Sequence, residues 1–118
     1  MKFSKAIRVA ADSAASWSRL LDDDNPIHEP EGGAVHPGPA NLAYLISAVL
    51  EALPGARLIK VHTRFLAPLV APCEASVEGE WLVSSASGEI ETVQVTATLL
   101  SAGEPKARLE AELWRPLE

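Results

Sequence analysis

Leu42-Ala43-Tyr44-Leu45-Ile46-Ser47-Ala48-Val49-Leu50-Glu51-Ala52-Leu53 runs directly into Pro54-Gly55. Leu42, Leu45, Ile46, Val49, Leu50 and Leu53 fall at i, i+3, i+4, i+7, i+8 and i+11, the spacing of one broad helical face. Pro54-Gly55 supplies the stop. Ala43 and Ala48 are small and apolar on the remaining surface, and Glu51 is the one charge. A helix of this composition must be covered on most sides, so the rest of the chain has to provide a layer that does so.

Four stretches C-terminal to this helix alternate with period two, as strands with one buried face do. Ile59, Val61, Thr63, Phe65 and Ala67 oppose Leu58, Lys60, His62, Arg64 and Leu66, while Ala75, Val77, Gly79, Trp81 and Val83 oppose Ser76, Glu78, Glu80 and Leu82. Val93, Val95, Ala97 and Leu99 alternate with Thr92, Gln94, Thr96 and Thr98, and Ala107, Leu109, Ala111 and Leu113 with Arg108, Glu110 and Glu112. Turns at Ser84 to Gly88 and Ala102 to Pro105 are of hairpin size, which predicts antiparallel neighbours. On the N-terminal side, Lys2 to Ala10 suits a short strand. Asp12 and Ser13 offer N-cap chemistry to a short helix carrying Ala14, Trp17, Leu20 and Leu21 and ending near Asp22. Asp23 to Pro39 holds four prolines, three glycines and two of the three histidines, and reads as a loop. The expected architecture is α+β, with an antiparallel sheet of about five strands curled around a long central helix.

The 118 residues fit one domain, 1–118, and 47% hydrophobic content suffices for a core without staples. A formal charge of −6 removes phosphate-backbone attraction as a general driving force, so nucleic acid is set aside. Two basic groups, Arg57, Lys60 and Arg64 in one stretch and Lys106, Arg108 and Arg115 in another, remain available to a small anionic ligand such as a nucleotide-bearing carrier. The single Cys73 has no partner for an internal disulfide, and no Cys/His spacing resembles a zinc site, so a reducing, cytoplasmic setting is the simpler expectation. No apolar stretch has the length of a signal peptide or of a membrane span.

The candidate chemistry lies in Asp23-Asp24-Asn25-Pro26-Ile27-His28. A carboxylate and an imidazole stand five residues apart, with a proline between them that removes a donor and restricts the backbone. Such a loop can hold both side chains toward one water. A carboxylate beside an imidazole raises its basicity, and the pair can take a proton from water and return one in the same cycle. The structural alternative is an ordinary Asp-Asn-Pro turn at a helix end, with an exposed histidine. A calcium loop is disfavoured, since the required glycine and distal glutamate are missing.

Asp-x-Asn-Pro-x-His at Asp23, Asn25, Pro26 and His28 resembles the hydratase motif of the MaoC-like family, which includes the (R)-specific enoyl-CoA hydratases. The resemblance extends through Val35, His36 and Gly38 at the opening of the apolar helix and Arg64-Phe65-Leu66-Ala67-Pro68 at the end of the next strand. It implies the hot-dog fold, in which an antiparallel sheet wraps a central helix. It also implies a lyase that adds water reversibly, with syn stereochemistry, to a 2-enoyl thioester carried on CoA or acyl carrier protein. Asp23 and His28 would then activate the water, Asn25 and Pro26 would shape the loop, and the thioester oxygen would be held by backbone N–H groups at Gly38 or its neighbours, where the helix dipole adds to them. The chain departs from the family pattern at Pro37 and Pro39, which flank Gly38, and in the short stretch Glu29 to Ala34.

His36 reads as a locally hydrogen-bonded residue supporting the site from behind, in preference to a second catalytic group or a metal partner for His28, and His62 as solvent-facing or at an interface. Trp17, Trp81 and Trp114 read as core or interface anchors. Lys60 and Arg64 suit either carrier phosphates or a solvated strand face. No cofactor and no metal is implied. A homodimer is expected because the sheet leaves an edge that a second copy can continue. The rival functions are a thioesterase on the same fold and a non-catalytic acyl-binding subunit.

Overall fold

The computed structural model describes residues 1–21 and 35–117. Strand β1 (Lys2–Val9) leads into helix α1 (Ser13–Leu20), and helix α2 (Gly38–Ala52) precedes β2 (Arg57–Phe65), β3 (Cys73–Ser87), β4 (Ile90–Ser101) and β5 (Glu104–Pro116). The five strands form one antiparallel sheet in the order β1-β3-β4-β5-β2. Helix α2 lies across β1, β3, β4 and β5, so the expected sheet around a central helix is what the chain forms. No helix among the described residues is long and apolar enough to cross a membrane.

The core follows the alternation. Val77 of β3, Val93, Val95, Ala97 and Leu99 of β4, and Ala107, Leu109, Ala111 and Leu113 of β5 are all buried, and they meet Leu45, Ala48, Val49 and Leu53 from α2. Each fully buried Leu or Val side chain contributes roughly 1.5–3 kcal/mol of transfer free energy. The hairpins are tighter than the expected turns. Gly88 and Glu89 alone join β3 to β4, with Gly88 at φ 64°. Ala102 and Gly103 alone join β4 to β5, at φ 53° and 75°, the two left-handed positions of a type I′ turn.

Local departures from the expected pattern have physical causes. Asp12 precedes α1 without a side-chain cap bond. Gly38 and Pro39 belong to α2 and not to the preceding loop, because a proline in the first turn loses only an N–H that has no helical acceptor. In β2 a bulge between Leu58 and Lys60 makes Ile59 the extra residue, so Leu58 instead joins Val61, Thr63 and Phe65 on the inner face. Of the tryptophans, Trp81 packs on the core with the Arg115 guanidinium 4.7 Å from its ring centroid, Trp17 is half-buried, and Trp114 is exposed. Covering of α2 is incomplete, since Ala43, Ile46, Ser47 and Leu50 line an open surface depression.

Candidate functional site

The entrance to α2 is built by His36, Pro37 and Gly38. Val35 forms an antiparallel bridge with Val70, and the His36 N–H donates to the Leu69 carbonyl at 2.7 Å, which pins the approach to the helix against the segment that follows β2. The His36 side chain is only 3% exposed. Its Nε2 shares a 2.8 Å hydrogen bond with the Ser13 hydroxyl, and its ring stacks on Tyr44 at a centroid distance of 5.5 Å. Tyr44 in turn meets Trp17 edge-on at 6.3 Å. Ser13 and Trp17 belong to α1, Tyr44 to α2, so one buried imidazole ties the two helices together on either side of residues 22–34.

The first turn of α2 is poor in donors for a reason visible in its sequence. Pro37 caps the helix in extended conformation without a side-chain bond, and Pro39 has no N–H. The N–H groups of Ala40 and Asn41 both donate to the Pro37 carbonyl at 3.1 Å. Gly38 is left with an N–H that makes no hydrogen bond to the described residues. This donor sits at the positive end of the helix dipole. A Cβ at Gly38 would stand 3.4 Å from Phe65 Cζ, so the residue packs beneath the half-exposed Phe65 ring at the end of β2. The terminus therefore has one N–H, next to an apolar wall, that makes no hydrogen bond to the described residues.

Asn41, in the same turn, is 4% exposed and its Oδ1 has no hydrogen-bond partner among the described residues. A buried amide left in this state costs stability. Neither Asn41 nor the Ser13–His36 bond was foreseen from the sequence. For Asn41 the available signal was a polar residue inside an otherwise apolar helical run; for Ser13 there was none, as its partner is 23 residues away.

Of the sequence-predicted site residues, the structure places His36 and Gly38 together at the mouth of α2. Asp23, Asn25, Pro26 and His28 lie outside the described residues. His62 is exposed on the outer face of β2, as expected.

No family model matches the chain, and no curated protein matches it. Solved structures do. An (R)-hydratase from A. caviae involved in PHA biosynthesis superposes with a TM-score of 0.78 at 21% identity, over 98% of this chain and 95% of that one. An R-hydratase from Pseudomonas aeruginosa gives 0.77 at 22% identity, over 100% and 81%. A MaoC-like dehydratase from Rhodospirillum rubrum gives 0.84 at 19% identity, over 100% and 92%. These likenesses, with the five-stranded antiparallel sheet around α2, show that the chain has the hot-dog fold.

Proposed function

We propose that this hot-dog chain belongs with the MaoC-like hydratases and dehydratases and is a lyase: it adds water to 2-enoyl thioesters, or removes it from 3-hydroxyacyl thioesters, with (R) stereochemistry. The observation that carries the reading is the mouth of α2. There Gly38, packed beside Phe65, has an N–H with no hydrogen bond to the described residues, downstream of Asp23, Asn25, Pro26 and His28 in the chain.

Hydration of a conjugated thioester develops negative charge on the carbonyl oxygen as water adds at the β-carbon. A preorganised N–H at a helix terminus stabilises that charge more than it stabilises the neutral substrate, which is what acceleration requires. In this reading the Gly38 N–H accepts the role of oxyanion donor. Asp23 and His28 hold the water, remove its proton as the C–O bond forms and deliver a proton to the α-carbon, so the pair ends the cycle as it began. Asn25 and Pro26 restrict the loop that carries them. His36 acts one layer behind, by fixing α1 to α2.

A homodimer is part of the proposal. β2 ends the sheet, and Val61, Phe65, Leu66 and Val70 leave apolar surface exposed along it. Light scattering should return the mass of two chains.

Crotonyl-CoA is the deciding substrate. Loss of enoyl absorbance without thiol release supports the hydratase, whereas thiol release would make the chain a thioesterase. The scarcity of first-turn donors gives a non-catalytic acyl-binding subunit its one specific support, and absence of both signals with retained acyl-CoA binding would establish it. Asp23→Asn and His28→Ala should each lower kcat by about three orders of magnitude with an unchanged melting temperature. Near-normal turnover in either variant sinks the dyad.

A further inference from the structure

The outer face of the sheet edge carries a pairing that folding alone disfavours. Arg64 of β2 lies directly opposite Arg108 of β5 in the antiparallel register. Like charges on directly opposed residues destabilise a sheet. Among the described residues neither arginine makes an ion pair or side-chain hydrogen bond, although carboxylates are close at hand: Glu110 opposes His62 and Glu112 opposes Lys60 one and two steps along the same strands. Lys106 is already engaged by Glu104 at 2.9 Å, and the residue beside Arg108 on β4 is the neutral Thr98. His62, Arg64, Arg108 and Glu110 line a depression of about 230 Å³. Two arginines are thus paired across the strands, with the Glu110 carboxylate on the wall of the same depression and no ion pair to either among the described residues, in a chain whose overall charge is −6.

Their position relates them to the mouth of α2. Arg64 immediately precedes Phe65, whose ring covers Gly38 from the inner face. Successive strand residues point to opposite faces, so the two arginines sit on the far side of the same strand end.

We propose that Arg64 and Arg108 form the seat for a phosphate group of the substrate's pantetheine-bearing carrier. The planar, always-charged guanidinium is suited to phosphate oxygens by its fork of donors, and the bound anion relieves the repulsion between the pair. This rests on the reading of the ligand as an acyl thioester. The chemistry shared by the candidate carriers is the phosphate at the end of the pantetheine arm; CoA adds nucleotide phosphates to it.

The test is calorimetric titration of the intact chain at low salt with CoA, 4′-phosphopantetheine and phosphate-free pantetheine. Arg64→Ala and Arg108→Ala should each weaken CoA binding by about tenfold or more, leave pantetheine binding unchanged, and keep or slightly raise the melting temperature, because a like-charge pair has been removed. Equal dependence with 4′-phosphopantetheine assigns the seat to the arm's own phosphate, and dependence with CoA alone assigns it to the nucleotide phosphates. Wild-type chain that does not bind CoA, CoA affinity unchanged in both variants, or equal losses for pantetheine overturn the proposal. Turnover of crotonyl-CoA is scored separately. Arginine-dependent CoA binding without hydration removes the hydratase and keeps the seat, whereas hydration with a KM indifferent to both arginines does the reverse.

Discussion

β5 and β2 are hydrogen-bonded neighbours with the same alternating pattern, yet one is sealed and the other open. On the inner face Leu113, Ala111, Leu109 and Ala107 of β5 oppose Leu58, Val61, Thr63 and Phe65 of β2. The β5 members are at most 4% exposed, whereas Val61 is 37% and Phe65 53% exposed. The difference does not lie in the residues, which are equally apolar in both columns apart from Thr63. It lies in the helix: α2 spans β1, β3, β4 and β5 and leaves β2 at the rim. An amphipathic strand pattern thus states which face is apolar, and only the neighbouring layer states whether that face is core or a surface for a ligand or a second chain.

The contrast is broken most directly by truncation. Leu109→Ala should cost about 2–5 kcal/mol in urea unfolding, since α2 holds the cavity open. Phe65→Ala, at the last cross-strand pair of the same ladder, should cost under about 1 kcal/mol because water already reaches the ring. Equal losses would mean that β2 is covered in solution, by a second copy above all. The next effect tests the mouth of α2. Ser13→Ala removes the partner of a buried imidazole nitrogen and should lower stability by about 1–2 kcal/mol, and in the hydratase reading should lower kcat as well, by loosening α1 against α2. Unchanged stability would mean that another group or a water replaces the hydroxyl.

Thr63 sharpens the boundary between the two columns. Its Oγ1 is buried without a hydrogen-bond partner among the described residues, opposite the fully buried Leu109. Thr63→Val keeps the shape and should raise stability by about 1 kcal/mol in thermal unfolding; a loss would place a polar partner there in solution. The smallest effect belongs to the sealed side. Ala102 holds φ 53° in the β4–β5 turn, a conformation that glycine adopts without a Cβ clash, so Ala102→Gly should gain about 0.5 kcal/mol. A drop in melting temperature instead would show that the turn does not hold this geometry.

Much of the fold was legible because its signals are local. The i, i+3, i+4 run from Leu42 to Leu53 and the alternation from Val93 to Leu99 and from Ala107 to Leu113 need no knowledge of any distant residue. Breaker counts misled at Gly38-Pro39, where proline in a first helical turn is compatible with helix, and at Ser84 to Gly88, where the strand continues to the last residue before a two-residue turn. Of the candidate site, His36 and Gly38 stand out in the Val-His-x-Gly pattern, and the structure places both at the start of α2. Asp23 and His28 rest on the motif alone.

The sequence by itself determined the α+β class, the long apolar helix and the apolar face of each strand, because periodicity is a property of consecutive residues and of backbone geometry. Tertiary structure alone decided that His36 meets Ser13, that Arg64 meets Arg108, that a bulge at Ile59 turns Leu58 inward, and that β2 stays open. Each of these depends on strand register or on where a helix comes to rest, and both are set by hydrogen bonding and burial between residues far apart in the chain.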